Sequence, residues 1–281
     1  MKIHKLLVSI LICTYNASDT IKDTISSCLR QSYSTIEILI HDDQSIDTTL
    51  QIIQEISDIR IKIIHSWKKL WPYWWLNFLL DHAHGEYIAI QDHDDLRHPE
   101  KLQQQINFLE SKEWKPYIWC GTKTLMRYES DQKGFEYFLG QENYYTIHPS
   151  LVFRNQWQRY PTDSVYMNDA LFQKRVLCVW EKLIYNIDET LTFHRIKDGA
   201  SNFSYKWFTY SRATIHTVFS LHPVWYGIGV IGWETMRKVV YPCFHLIRKG
   251  AWIDVMERKP FEMMGNTMEI YTKERVKEMG F

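Results

Sequence analysis

Apolar residues in the first hundred positions come in short unbroken runs, separated by stretches of helical spacing. Leu6–Cys13 (L-L-V-S-I-L-I-C) is a run of the kind that forms a strand buried on both faces, and Ile36–Ile40, Ile61–Ile64 and Tyr87–Ile90 repeat it. Between the first two runs, Ile21, Ile25, Cys28 and Leu29 fall at i, i+4, i+7 and i+8, one face of a helix that Ser18 or Asp19 can cap. Leu50, Ile53 and Ile56 mark a second helix from about Asp47, and Leu76–Ala83 a third. Pro99–Lys112 reads as a fourth, with Leu102, Ile106 and Leu109 inward. Strands alternating with helices at this spacing predict βαβ units and a parallel sheet.

Ligands of such sheets bind outside the carboxyl ends of the strands. Three polar clusters follow directly after apolar runs: Thr14-Tyr15-Asn16, then Asp42-Asp43, then Asp92 to Asp95. They are therefore expected on one edge. Asp92, Asp94 and Asp95 cannot all ionise in a dry pocket without a counter-charge. Either they are solvated, as a loop before the helix that starts near Pro99, or a divalent cation sits among them. Carboxylate oxygens suit Mg²⁺ or Mn²⁺, which use one or two carboxylates together with substrate phosphates.

The second half is less regular. Tyr117–Tyr128 reads as extended and residues 129–145 as a polar, Gly-punctuated, aromatic excursion. His148–Phe153 is a further apolar run, Val165–Val179 is mainly helical, and Ile184–Arg195 is rich in strand-forming residues. From about Phe203 the character changes to aromatic and apolar residues with interspersed Arg, Lys and His, which divides the chain into residues 1–205 and a mainly helical extension, 206–281. Glu234, Arg237 and Lys238 interrupt any apolar run of membrane-spanning length. The extension reads as a helical appendage packed on the first domain, or as a helix lying in the membrane interface.

Composition narrows the classes. The 281 residues are 45% hydrophobic and 23% charged, ordinary for a globular protein. A formal net charge of zero gives no basic field to recruit nucleic acid. The five cysteines are scattered and show no metal-binding spacing, so they read as reduced thiols of a cytoplasmic protein. The apolar N-terminal run is too short to span a bilayer and reads as a first strand rather than a signal peptide. The 12 Trp and 17 Tyr are abundant enough to supply stacking faces as well as core.

Several of these segments, in this order, resemble the family-two glycosyltransferases of GT-A fold: V-S-I-L-I-C-T-Y-N, I-L-I-H-D-D-Q-S-I-D-T-T, G-E-Y-I-A-I-Q-D-H-D-D-L-R-H-P-E-K-L, H-P-S-L-V-F-R-N, N-D-A-L-F-Q-K-R and L-T-F-H-R-I-K-D-G-A-S. The resemblance runs from about Leu7 to Asn202. It implies a Rossmann-like, mostly parallel central sheet flanked by helices, followed by the C-terminal appendage. It also implies a UDP-sugar donor, a saccharide or lipid-linked acceptor, and a place in surface polysaccharide assembly, with peripheral membrane contact as a variant. Thr14, Tyr15 and Asn16 would approach the nucleotide, and Asp43 with Asp42 the uracil and ribose; a carboxylate can accept the N3–H of uracil. Asp92-x-Asp94 matches the D-x-D signature, with Asp94 as direct metal ligand, Asp92 in support and Asp95 without a settled role. Asp169 falls where the family has its base, though Asn168 stands before it where Glu is usual. Arg195 matches the late arginine of the donor site, and Lys197 replaces a frequent histidine. One base opposite the leaving group implies a single displacement with inversion.

Other residues have bland uses. Lys68 and Lys69 can reach a diphosphate or merely snorkel; His148 can line the acceptor site or serve as a structural hydrogen-bonding residue; Trp71, Trp74 and Trp75 can stack on a sugar or pack a core. Two other functional classes remain. A nucleotidyltransferase would need a Gly-rich basic loop after the first strand, and Thr14-Tyr15-Asn16 is not one. A non-catalytic sugar-nucleotide module fits the Asn168 and Lys197 departures.

Overall fold

The structure, a computed structural model, describes residues 6–281 apart from 71–72, 112–116, 118, 163–167, 178–183 and, isolated positions excepted, 197–267. Four strands with the expected unbroken apolar character lie parallel: β1 (Val8–Thr14), β2 (Ile36–Asp42), β3 (Ile61–Ile63) and β4 (Tyr87–Asp92). Helices α1 (Ile21–Leu29), α2 (Thr49–Gln54) and α3 (Trp74–His82) connect them. α1 begins later than Ser18, with Thr20 at its N-cap, and the Ser18 N–H donates to Asp47 Oδ2 at 3.2 Å. α2 begins after Asp47, whose Oδ1 accepts the Thr49 N–H at 3.0 Å and so works as a cap.

The chain then adds the short β5 (Leu96–Arg97), helix α4 (Lys101–Glu110), β6 (Trp119–Tyr128), β7 (Lys133–Tyr137), β8 (Glu142–Asn143), a 3-10 turn at His148–Ser150 and β9 (Val152–Arg154). Helix α5 (Asn168–Phe172) runs into a π-helical turn (Gln173–Leu177), and β10 (Ile184–Ile196) follows. The described strands, with a last one, β11 (Glu269–Ile270), join one mixed sheet in the order β11-β7-β6-β9-β4-β1-β2-β3, with β10 paired to β5, β6 and β8. The central parallel strands and flanking helices match the expected GT-A architecture.

Two regions differ from expectation. Residues 129–145 are not an excursion: β7 pairs antiparallel with β6, Arg127 opposite Gly134, and Gly134 is required there because a Cβ would lie 2.3 Å from the Met126 carbonyl oxygen. The proposed helical extension lies almost wholly outside the described residues. Its described end carries a strand, β11 (Glu269–Ile270), antiparallel to β7, and a short helix, α6 (Lys273–Glu278). Tyr271, Val276 and Phe281 pack there with Leu96, Leu125 and Phe193.

The main core fills one face of β1, β2 and β4 against α1, α2 and α4: Ile10, Ile12, Ile38, Ile40 and Ala89 meet Ile21, Ile25, Ile53, Leu102 and Ile106. The other face packs Leu11, Leu39, Ile88 and Ile90 on Leu76 and Leu79 of α3 and on Phe153 and Phe172. Burial on both faces explains why these strands read as unbroken apolar runs. Among the described residues no helix is long and apolar enough to cross a membrane.

Candidate active site

The strand order reverses at β1. From β1 the chain moves outward through β2 and β3, then returns to β4 on the other side. This switch point is where open α/β sheets leave a crevice. Register places the polar clusters there: Thr14 pairs with Asp42, and Cys13 with both His41 and Asp92. Thr14 and Asp42 end their strands, and the Asp43 N–H donates to the Thr14 carbonyl at 2.9 Å.

The residues after β1 and β2 are tied to one another. Asn16, at φ 49, donates its N–H to Ser45 Oγ at 2.9 Å and accepts the Ile46 N–H on Oδ1 at 2.9 Å. Asn tolerates this left-handed conformation better than most residues. Asp42 accepts both the N–H and the hydroxyl of Ser45, at 3.0 and 2.5 Å. Asp43 is 1% exposed; its Oδ1 accepts the Leu70 N–H at 2.8 Å and lies 3.8 Å from His41 Nε2. Burial pushes the Asp43 carboxyl up, against the pull of the Leu70 N–H, His41 and Lys69. Lys69 Nζ lies 4.4 Å from the centre of the Tyr15 ring, a cation–π contact beside Asp43. Trp67 is wholly exposed and Trp74 half exposed, whereas Trp75 donates its indole N–H to the Leu70 carbonyl at 2.5 Å. Trp71 lies outside the described residues.

Of the acidic loop, Asp95 is the innermost, fully buried. Its Oδ2 lies 2.7 Å from His194 Nδ1, and its Oδ1 accepts the Arg195 N–H at 2.9 Å. Asp95 thereby clips the end of β10 to the loop after β4. Burial raises the Asp95 carboxyl to about 6 despite His194. Burial would lower His194, but Asp95 and its neighbours outweigh it and raise the imidazole to about 9. The 2.7 Å contact holds the Asp95 carboxyl against the His194 imidazole. For Asp92, the cost of burial is outweighed by His148, His194 and His93, which hold it below the usual carboxylate range.

Asp92, Asp95 and His194 each place one donor atom within 4.8 Å of the others. Two carboxylates and an imidazole suit a divalent cation of the Mg²⁺ or Mn²⁺ kind. The orienting bond from Asp95 to His194 Nδ1 is the device that fixes metal-bound histidines elsewhere. His194 went unnoticed in the sequence because only the pairing of β10 with β5, Phe193 opposite Leu96, brings it to Asp95. Asp94 is half-buried on the same loop but outside this trio. Lys197 lies outside the described residues. The Arg195 guanidinium lies 3.5 Å from Asp23 and 3.8 Å from Glu129 and over the Phe193 ring.

Asp169 begins α5, and its Oδ2 accepts the Tyr145 hydroxyl at 3.3 Å. Asn168 is buried and donates Nδ2 to the Pro161 carbonyl at 2.9 Å, a bond that an ionised Glu could not donate. The phenols of Tyr145 and Tyr160 are pushed up, chiefly by burial and then by the Asp169 carboxylate. Burial would lower His148, but Asp92, and then Asp169 and Asp95, outweigh it and push its imidazole up.

Comparison with known proteins agrees with this geometry. The family model for glycosyl transferase family 2 matches residues 9–177, more than half of the chain. The putative glycosyltransferase EpsE of Bacillus subtilis is 38% identical over 130 residues, 45% of this chain and 46% of that protein. The UDP-Glc:alpha-D-GlcNAc-diphosphoundecaprenol beta-1,3-glucosyltransferase WfaP of Escherichia coli is 43% identical over 106 residues, 38% of this chain and 42% of that one. The matches thus span less than half the length of either relative. Among solved structures, S. aureus TarS 1-349 in complex with UDP-GlcNAc superposes with a TM-score of 0.58 at 17% identity, over 87% of this chain and 76% of that one. The mannosyltransferase PcManGT from Pyrobaculum calidifontis, in complex with GDP-Man and Mn2+, gives 0.54 at 12% identity, over 99% and 84%. At such identities the structures speak for the fold alone. With a family match over most of the sheet and a GT-A fold around its switch point, the chain belongs to glycosyl transferase family 2.

Proposed function

We propose that this protein is an inverting, divalent-cation-dependent glycosyltransferase that moves a sugar from a UDP-sugar to the hydroxyl of a saccharide or lipid-linked acceptor, in the assembly of a surface polysaccharide. The observation that carries the reading is the register at the switch point, which brings the strand ends Thr14, Asp42 and Asp92 to one edge, where Asp92 Oδ1 lies 3.6 Å from His148 Nδ1. The glucosyltransferase named for a UDP-glucose donor and a diphosphoundecaprenol acceptor favours a uridine donor.

In this reading, Asp43 accepts the uracil N3–H. Because Asp43 is buried with Oδ1 on Leu70, the base either takes Oδ2 or displaces the Leu70 amide. Thr14, Tyr15, Asn16 and Asp42 frame the nucleoside, and Lys69, already held over Tyr15, faces the diphosphate. Asp94 and Asp92, joined by His194, hold the cation; His194 must shed its extra proton to do so. Arg195 and Lys197 remain assigned to the donor side, Arg195 reaching it only by leaving Asp23 and Glu129. When bound, the cation supplies Lewis-acid compensation of the charge that develops on the departing diphosphate. Asp169 takes the proton of the acceptor hydroxyl, worth about 10²–10⁴-fold in rate. Attack from the face opposite the leaving group inverts the anomeric centre.

The test is a panel of UDP-sugars incubated with the protein and Mn²⁺ or Mg²⁺, with UDP release as readout. Cation-dependent release from at least one donor is expected. Binding of UDP without turnover of any donor or acceptor would instead favour the non-catalytic sugar-nucleotide module.

A further inference from the structure

His148 has no role in the chemistry so far, yet it is among the most constrained side chains of the site. It opens the 3-10 turn, and its neighbour Pro149 gives its carbonyl oxygen to Lys101 Nζ at 2.6 Å. Lys101 is wholly buried in α4, so the turn is anchored from beneath. The Ser150 N–H closes the turn on the Ile147 carbonyl at 2.8 Å. On this base the ring points in one direction: Nε2 lies 2.9 Å from the Tyr160 hydroxyl and Nδ1 lies 3.6 Å from Asp92 Oδ1.

Tyr160 cannot swing away. Its N–H donates to Asn77 Oδ1 at 2.8 Å, and Asn77 Nδ2 donates back to its carbonyl at 2.9 Å. Its ring stacks on Phe172, with centroids 3.9 Å apart at 16°, and meets the His148 ring edge-on at 5.7 Å. A bare Nδ1 lone pair facing a carboxylate would be repelled, so the arrangement places a proton on Nδ1. With the hydroxyl of Tyr160 donating to Nε2, that tautomer is satisfied at both nitrogens. The residue after Tyr160, Pro161, accepts from Asn168 at the start of α5. One chain of contacts therefore runs from Asp92 through His148 and Tyr160 to the residue that precedes Asp169.

We propose that His148 is a positioning residue for donor binding: its imidazole, aimed by Tyr160, sets Nδ1 3.6 Å from one oxygen of Asp92 as an electrostatic partner and leaves the other for the sugar nucleotide and its cation. The same contact couples the donor carboxylate to the segment that carries Asp169. This rests on the reading of Asp92 as a donor-side carboxylate.

Two amides separate the ring's nitrogens. The amide nitrogen of an Asn reaches the place of Nδ1, and that of a Gln the place of Nε2. Calorimetric titration with UDP and Mn²⁺ should show His148→Asn, which keeps the Asp92 side and loses the Tyr160 aim, binding about threefold more weakly than wild type, as Tyr160→Phe should, while His148→Gln, which keeps only the Tyr160 side, binds about tenfold or more weakly, the worth of one polar contact to a charged group. Tyr160→Phe keeps the ring stack, loses only the aim, and should weaken binding with an unchanged melting temperature. Equal behaviour of the Asn and Gln variants, whether both bind or both fail, overturns the proposal; so does a Tyr160→Phe variant that binds like wild type. A wild-type protein with no affinity for UDP would instead overturn the donor-site reading itself, and the positioning role with it.

Discussion

The two halves of the sheet hold their functional residues by different means. In the parallel half, β1 to β4, backbone register does it: once Cys13 lies beside Asp92 and Thr14 beside Asp42, the carboxylates converge. In the other half, side chains do it. Asp95 clips His194, Asn77 holds Tyr160, Tyr160 aims His148, and Asn168 ties α5 to Pro161. Ladder bonds are many and share any strain, whereas each of these links hangs on one side chain. The parallel half should therefore tolerate loss of one polar group structurally and lose only chemistry. The other half should lose alignment.

The largest effect expected from breaking this contrast is at the cation. Asp94→Ala should abolish the strengthening of UDP binding by Mn²⁺ while leaving the fold intact, as calorimetry with Mn²⁺ and then with EDTA will show. An unchanged Mn²⁺ response would move the cation to the Asp92, Asp95 and His194 trio alone. Asp95→Asn, an alignment variant, should weaken Mn²⁺ affinity by about 10–100-fold, the usual cost of losing an orienting partner of a metal-bound histidine. Asp43→Asn should cost about tenfold in UDP affinity and less for a cytidine nucleotide, since Asn keeps one acceptor oxygen for the Leu70 N–H and the uracil N3–H together, whereas cytosine carries no N3–H.

The smallest effect is structural and lies in the parallel half. Asp47 caps α2, and bonds from Thr49 and Ser18 outweigh its burial and hold it at about 2. Asp47→Ala should cost about 1 kcal/mol of stability at neutral pH. Because the folded value is depressed, that contribution is present above the ordinary carboxylate value of about 3.9 and is lost as pH falls through about 2. The melting temperatures of variant and wild type should converge over that acid range.

The same contrast explains what could be read from the chain. Strands buried on both faces announce themselves as apolar runs, so β1 to β4 and the carboxylates after them were legible, and α4 was placed to within two residues. β7 was not: Lys133–Tyr137 is short, half exposed and polar, and becomes a strand only by pairing with β6. His194 carried no local signal, since its partner Asp95 is 99 residues away and meets it only through β5. His148 was visible only as one of two readings; its buried anchor at Lys101 and its partner Tyr160 belong to other segments. Arg195 had the right place in the motif, but Asp23 and Glu129, remote in sequence, hold its guanidinium.

In the proposed function the carboxylate half binds the donor and the side-chain-aligned half performs the transfer. Asp169→Asn tests it most directly, because it changes one oxygen for a nitrogen at the Tyr145 contact. Measured side by side on one preparation, UDP affinity in Mn²⁺ should stay within about twofold, and transfer from the best UDP-sugar should fall by about 10²–10⁴-fold. Transfer at the wild-type rate in that variant would contradict the account.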